Sequence, residues 1–228
     1  MILPAMQSAI LRLTGVKVEE VFASTDKICI EIADLVNEVA ADIAKSHDWQ
    51  ALTKVEEIVG TGALEYDIPT DYDRMPVASS IDDKTNWFWG YFPFDDVNQW
   101  LRYKSGEYSI ITPGGWIILG GQLNFYPAPN GTAQYPYISN QWAIDDQGGK
   151  KAAFTADNDI FALDERLLTL GLIWRWQEQK DMAYAESMQT YEIALSQAQA
   201  RDRGSRTIRS NNVNSRLNTR LAYPWNLG

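Results

Sequence analysis

Cysteine and histidine are almost missing from this 228-residue chain: Cys29 and His47 are the only ones. A single cysteine excludes an intrachain disulfide, and one residue of each kind excludes the usual zinc ligand sets. Cys29 falls within an apolar helical stripe and reads as a small buried hydrophobe. A Ser-His-Asp or Cys-His catalytic arrangement would have to use His47. That residue stands in Ser46-His47-Asp48-Trp49, at the end of a long helical pattern, where an imidazole interacts well with the negative end of the helix. No run of 18 apolar residues is present, so no helix is expected to span a membrane. Met1–Thr14 contains Pro4, Gln7 and Arg12 and no cleavage-site pattern, so it does not read as a signal peptide, and use inside a cell is expected. There is no GxGxxG after a strand and no GxxxxGK followed by Ser or Thr. Gly114-Gly115 and Gly120-Gly121 flank Trp116–Leu119 as turns around a strand, not as a phosphate cradle. No cofactor is expected.

Paired carboxylates do occur: Asp82-Asp83, Asp95-Asp96 and Asp145-Asp146, with Asp157-Asn158-Asp159 beside them. The last has the flavour of a calcium loop but lacks the glycine and the distant glutamate of the EF-hand pattern. Solvated turns and helix-leading caps are the expectation for all four. A glycosidase would need two carboxylates at a fixed separation, and nothing selects a pair. No catalytic residue and no metal ligand is expected, and the chain reads as a non-enzyme.

What the chain has in excess is aromatic surface: nine Trp, eleven Tyr and seven Phe. Such a load suits broad buried faces and subunit interfaces. The composition is otherwise that of an ordinary globular protein, 45% apolar and 22% charged. The net charge of −10 is unevenly placed. Residues 201–228 carry six Arg (201, 203, 206, 209, 216 and 220) against Asp202 alone, a surplus of +5, which leaves −15 on the rest. This is a basic arm on an acidic body.

Along the chain, residues 1–14 read as a short helix, with Pro4 in the first turn and Gly15 as its stop. The clearest helix runs over 25–47: Ile28, Ile32, Leu35, Val36, Val39 and Ile43 recur at steps of three and four, and Ser24 or Thr25 can cap it. From Trp49 to about Ile160 the helical period disappears. Strand candidates are Val55–Val59, Leu64–Ile68, Tyr108–Thr112, Trp116–Leu119, Leu123–Tyr126 and Tyr135–Ile138. Gly60-Thr61-Gly62 and Pro129-Asn130-Gly131 are turn candidates, the first as a hairpin between its flanking runs. Helix returns after Leu163, with Asp164 as N-cap. Its stripes are Leu167, Leu170, Ile173 and Trp174, then Met188, Tyr191, Leu195 and Ala198. Lys180-Asp181 between them is either a break or a tight turn, and a turn would pack the two helices antiparallel. Residues 204–228 show no apolar period.

The expected fold is α+β: an antiparallel helix bundle with an inserted small antiparallel β-sandwich or barrel and an extended C-terminal tail. The expected division is 1–49 with 162–203 as the helical domain, 50–161 as the β insertion and 204–228 as the arm. The arm has three readings: phosphate contacts to nucleic acid, docking on an acidic protein surface with Leu221, Tyr223 and Trp225 as anchors, or a solvated end. Trp87, Trp89 and Trp100 are candidate anchors between subunits; exposed together, they would instead form a sugar-stacking platform, and the chain would be a carbohydrate-binding module.

The order of several motifs resembles a known family. A helix ending in His47-Asp48-Trp49 leads through Leu52-Thr53 into Glu65-Tyr66-Asp67-Ile68-Pro69-Thr70-Asp71-Tyr72-Asp73-Arg74. Leu123-Asn124-Phe125-Tyr126-Pro127-Ala128-Pro129 and Phe154-Thr155-Ala156-Asp157-Asn158-Asp159 follow. Leu170-Gly171-Leu172-Ile173-Trp174-Arg175-Trp176, Lys180, Tyr184 and Tyr191 complete the series. Over roughly residues 1–200 this is similar to the head-to-tail adaptor (connector) proteins of tailed bacteriophages, of the tail tubular and tail accessory types. Ile68 stands where Leu is usual and Asp181 where Gly is common. The resemblance implies a helical core with a β insertion, a ring, usually of twelve copies, under the portal protein, and a C-terminal tail that reaches onto the portal. The docking residues would then be Arg203, Arg206, Arg209, Arg216, Arg220, Leu221, Tyr223 and Trp225. It further implies tail nozzle, tail tube or fibre proteins on the other side, genomic DNA passing through the lumen without specific binding, and a place in the virion after assembly in the host cytoplasm.

Overall fold

The computed structural model describes residues 1–76, 79–83, 87–106, 114–129 and 131–202, and at 83 and 87–89 the backbone alone. Helix α1 (Leu3–Thr14) carries Pro4 in its first turn and stops at Gly15, whose φ of 75° lets its N–H bond the carbonyl of Leu11 at 2.9 Å. Helix α2 (Lys27–Lys45) turns Cys29, Ile32, Leu35, Val36, Val39, Ala40 and Ile43 inward. Asp26, not Ser24 or Thr25, occupies its N-cap position, and no side chain caps it there. A single 3₁₀ turn at Gln50–Leu52 then leads into the β region.

That region contains β1 (Thr53–Val59), β2 (Glu65–Asp67), β3 (Tyr72–Arg74), β4 (Ile81–Asp83), β5 (Trp87–Pro93), α3 (Val97–Lys104), β6 (Gly115–Leu119), β7 (Gln122–Tyr126) and β8 (Thr132–Ser139). The strands form one nearly closed sheet in the order β1-β8-β4-β5-β6-β7-β2, with β3 also on β8. Two expectations fail here. The sheet is mixed, because β5 and β6 run parallel through Phe92↔Gly115 and Pro93↔Trp116. Gly60-Thr61-Gly62 closes no hairpin either: β1 pairs with β8 and β2 with β7. The tight hairpin lies instead at Gly120-Gly121, between β6 and β7, where both glycines take positive φ (60° and 80°). The strand expected at Tyr108–Thr112 lies outside the described residues.

After β8 come three two-residue strands, β9 (Ala143–Ile144), β10 (Lys150–Lys151) and β11 (Ile160–Phe161), in the order β10-β9-β11. The chain ends its described part in α4 (Glu165–Gln179) and α5 (Ala185–Asp202). Asp164 caps α4 as expected, accepting from the N–H of Arg166 at 2.9 Å. Lys180-Asp181 is a turn, with Asp181 at φ 52°. It lays α5 antiparallel on α4: the Trp174 and Tyr191 rings lie 5.9 Å apart, and Arg201 reaches Asp164 at 3.8 Å.

Buried apolar side chains fall into two clusters. The larger joins α1, α2, α4 and α5 with Trp49, Leu52, Ile138, Trp142, Phe154 and Phe161, so the small three-stranded sheet packs on the helices. The smaller fills the large sheet with Ile58, Ile81, Tyr91, Trp116, Leu123, Phe125, Ala133, Tyr135 and Tyr137. Each large aliphatic side chain hidden this way contributes about 1.5–3 kcal/mol.

Candidate interaction surfaces and the junction between helices and sheet

The stretch Pro69–Arg74 joins the two halves. Asp71 is buried, and its carboxylate accepts from Tyr137 Oη (3.0 Å) and Ser139 Oγ (2.7 Å) while pairing with Lys54 Nζ. Burial pushes its pKa up, but the hydrogen bonds from Lys54, Ser139 and Tyr137 outweigh that and hold it below the ordinary carboxylate value. Tyr137 is pushed up to about 12 by its burial and by the bond to Asp71. Asp71 thus binds the loop after β2 to both β1 and β8. Three residues on, Arg74 turns the other way. Its guanidinium pairs with Asp48 (3.1 Å) and Asp73 (2.5 Å) and donates to the carbonyls of His47 (2.7 Å) and Ala44 (3.5 Å). It therefore brings positive charge and further donors to the carbonyls at the end of α2.

His47 is buried in the same junction, its ring edge-on to Trp49 at 5.1 Å. Its Nε2 lies 3.4 Å from Asp202, the last residue of α5. Asp202 also accepts from the N–H of Gln50 at 3.1 Å, and Gln199 donates to Ser46. The end of α5 is thereby held against the start of the β region, and the basic arm departs from that fixed point. This placement was not legible in the sequence, which offers no signal that Asp202 meets Gln50.

The remaining site residues fare unevenly. Arg203, Arg206, Arg209, Arg216, Arg220, Leu221, Tyr223 and Trp225 lie outside the described residues. Trp87 and Trp89 belong to β5, whose side chains there are not described. Trp100 is a correction: on α3 it is 1% exposed, with Phe94 at 5.5 Å, Tyr103 at 6.2 Å and Lys104 over its ring. Being buried within its own subunit, it anchors no neighbour and cannot belong to a sugar-stacking platform.

The acidic pairs act locally. Asp96 caps α3 through the N–H of Asn98, and Asp145 closes a turn by accepting from Gln147 and Gly149. The expectation that Asp157 and Asp159 are solvated turn residues fails. Asp157 accepts from the N–H groups of Val21 and Phe22, while Asp159, 2% exposed, accepts from Thr155 and Ala156 and pairs with Lys151 at 2.8 Å. They tie the N-terminal segment to the loop before α4. Among the described residues no group of three His, Cys, Asp or Glu could hold a metal ion, and no helix is long and apolar enough to cross a membrane.

Exposed apolar side chains mark surfaces that the sequence reading did not find. Val55 and Val59 are each 66% exposed on β1, and Phe92 and Leu101 each 57% near α3. Met182 and Tyr184 just before α5, and Ile193 on it, are also exposed. Val55–Val59 was visible as a strand, but its order of apolar and acidic residues does not alternate, and only the tertiary structure decides that Ile58 faces inward while Val55 and Val59 face out.

The family model described as SU10 adaptor protein matches residues 5–216. A comparison with the curated proteins finds no match.

Proposed function

The chain belongs to the SU10 adaptor protein family, a structural phage protein of the head-to-tail adaptor type, and from that premise we propose that it is one copy of a closed ring between portal and tail. Membership in the family makes it a virion component that works in tail assembly and meets portal and tail proteins. The finer reading is a ring of twelve copies, assembled in the host cytoplasm. In it the helical unit (1–49 and 162–203) and the β insertion (50–161) form the body, and the arm 204–228 docks on the portal. Tail nozzle, tail tube or fibre proteins occupy the opposite side. A ring needs a heterologous interface that closes by rotation. The exposed apolar side chains of α5, Ile193 above all, and of the α3 region, Phe92 and Leu101, supply apolar contact area for such an interface. The acidic body suits a channel that passes DNA without holding it, since like charge repels phosphate.

The observation that carries the reading is the family match across nearly the whole chain. The anchoring of Asp202 supports the arm as a tether of fixed origin, and twelve such tethers would add avidity. Truncation after Arg203 tests it: the full chain should co-sediment with purified portal rings and the shortened chain should not. Equal attachment of the two would refute the arm's role. Changing Arg206, Arg209, Arg216 and Arg220 to Glu should weaken attachment, and the wild-type interaction should fade as salt is raised.

A further inference from the structure

Strand β1 forms one border of the large sheet, with β8 on one side and no strand on the other among the described residues. The direction of its free groups follows from one hydrogen bond. Gly60 N–H donates to the carbonyl of Gly131 at 2.8 Å, and these two residues continue the β1–β8 register. Antiparallel ladders alternate bonded and non-bonded pairs. Ile58, Glu56 and Lys54 therefore turn their backbone groups toward β8, while Val59, Glu57 and Val55 turn theirs outward. Pro136 agrees: lacking an N–H, it stands opposite Val55, at a non-bonded position. Val55 and Val59 are also each 66% exposed, and the register runs through seven pairs without a bulge. Neither proline, outward lysine nor bulge guards this edge, and such edges invite another strand.

The chain carries a segment that fits it. The arm as a whole lacks an apolar period, yet Leu217, Thr219, Leu221 and Tyr223 alternate with Asn218, Arg220 and Ala222, and Pro224 ends the run. That is the pattern of a seven-residue strand, and β1 has seven residues. Arg216 and Arg220 bring positive charge to an edge bearing Glu56 and Glu57. The arm also starts in the right place, because Asp202 bonds Gln50, three positions before β1 begins. Residues 203–216 can reach about 45 Å, against a length of roughly 23 Å for β1, so the chain can double back along the strand. A tether this short holds its segment at roughly millimolar effective concentration.

We infer that residues 217–223 of the arm add as an extra strand to the free edge of β1 in their own subunit. The pairing covers an edge that would otherwise join other copies. An arm held this way reaches a portal only after leaving β1. The inference concerns the isolated subunit and stands apart from the ring reading, so portal attachment and this pairing can fail separately.

Amide hydrogen exchange on the full chain and on the chain truncated after Arg203 tests it. The amides of Val55, Glu57 and Val59 should exchange roughly tenfold or more faster in the truncated chain. Those of Glu56 and Ile58, bonded to β8, should stay slow in both and so report that the sheet is intact. Thr219→Pro in the full chain, which keeps every arginine, should reproduce the fast exchange. Equal rates for the three outward amides in full and truncated chains would overturn the inference, as would their staying slow in the Thr219→Pro chain. Slowing that grows with protein concentration would also overturn it, because the pairing would then be between copies.

Discussion

Around α2 the buried side chains are Ile32, Leu35, Val36, Val39, Ala40 and Ile43, all brought by one continuous stretch of chain. Inside the sheet they are Ile58, Ile81, Tyr91, Phe125, Tyr135 and Tyr137, brought by five separate strands. Apart from the thiol of Cys29, the first set, the buried face of α2, holds no polar side-chain atom. The second holds three phenol hydroxyls, of which that of Tyr137 reaches Asp71 and that of Tyr135 meets no hydrogen-bond partner. The pairing that builds the sheet joins Thr53 to Ile138, 85 positions apart. The helical half thus takes its order from local period and the sheet from distant closure, which is entropically costlier to start and slower to form. Asp71 and Arg74, three residues apart, couple the two.

The largest effect should come from the helical side. Ile32→Ala removes a fully buried side chain and should cost about 3–4 kcal/mol, cavity included, read as a lowered midpoint in urea denaturation. Arg74→Ala attacks the coupling itself. It removes the guanidinium that pairs with Asp48 and donates to the carbonyl of His47 and should cost about 2–3 kcal/mol. Helical and near-ultraviolet aromatic signals, coincident in the wild type, should then separate into two transitions; continued coincidence would mean that Arg74 is not the joint. Gly171→Ala is smaller: its Cβ would meet Val39 Cγ1 at 2.4 Å, and the overpacking between α4 and α2 should cost about 1–3 kcal/mol.

Acid should act on both halves through two carboxylates. Asp71 and Asp159 each sit below the ordinary value in the fold: burial raises both, and the hydrogen bonds led by Lys54 and Lys151 respectively more than reverse it. Their stabilising contribution is complete above the unfolded value, about pH 4, and is lost as pH falls through the lower folded values. The thermal midpoint should therefore hold between about pH 5 and 8 and drop below about pH 4. Asp71→Asn should remove part of that drop. The smallest effect belongs to Tyr135→Phe, where deleting an unpaired buried hydroxyl should change stability by no more than about 0.5 kcal/mol and in the stabilising direction. A large loss there would show that the interior of the sheet depends on a polar contact.

The helices were readable because their signals are local. The step of three and four from Ile28 to Ile43, Gly15 as a stop and Asp164 as a cap each lie within a turn or two of what they control. The strands β1, β2, β6, β7 and β8 were also located, yet their partners were not. A backbone N–H is the same at every residue, so nothing in Val55–Val59 names β8 as its neighbour. The hairpin expected at Gly60-Thr61-Gly62 failed for this reason. Gly60 is needed because a Cβ there would stand 2.3 Å from the carbonyl oxygen of Pro129, a close approach and not a tight turn. Short elements such as β3, β4 and α3 were missed because three to eight residues carry too little period to be seen. Trp100 was assigned outward on aromatic character alone, whereas Phe94 and Tyr103 enclose it.

By itself the sequence settled what depends on neighbours along the chain or on counting. That includes the apolar stripe of α2, the exclusion of disulfides, the surplus of aromatic side chains, and a basic terminus set against an acidic body. Only the tertiary structure decided which strand closes on which and that Trp100 lies inside. It also decided that Asp157 and Asp159 hold the N-terminal segment and that the arm starts beside β1. Apart from Trp100, which Phe94 and Tyr103 enclose, these depend on groups far apart along the chain, such as Thr53 with Ile138, Val21 with Asp157 and Gln50 with Asp202, and a linear pattern carries no record of such encounters because backbone hydrogen bonding and burial are blind to sequence distance.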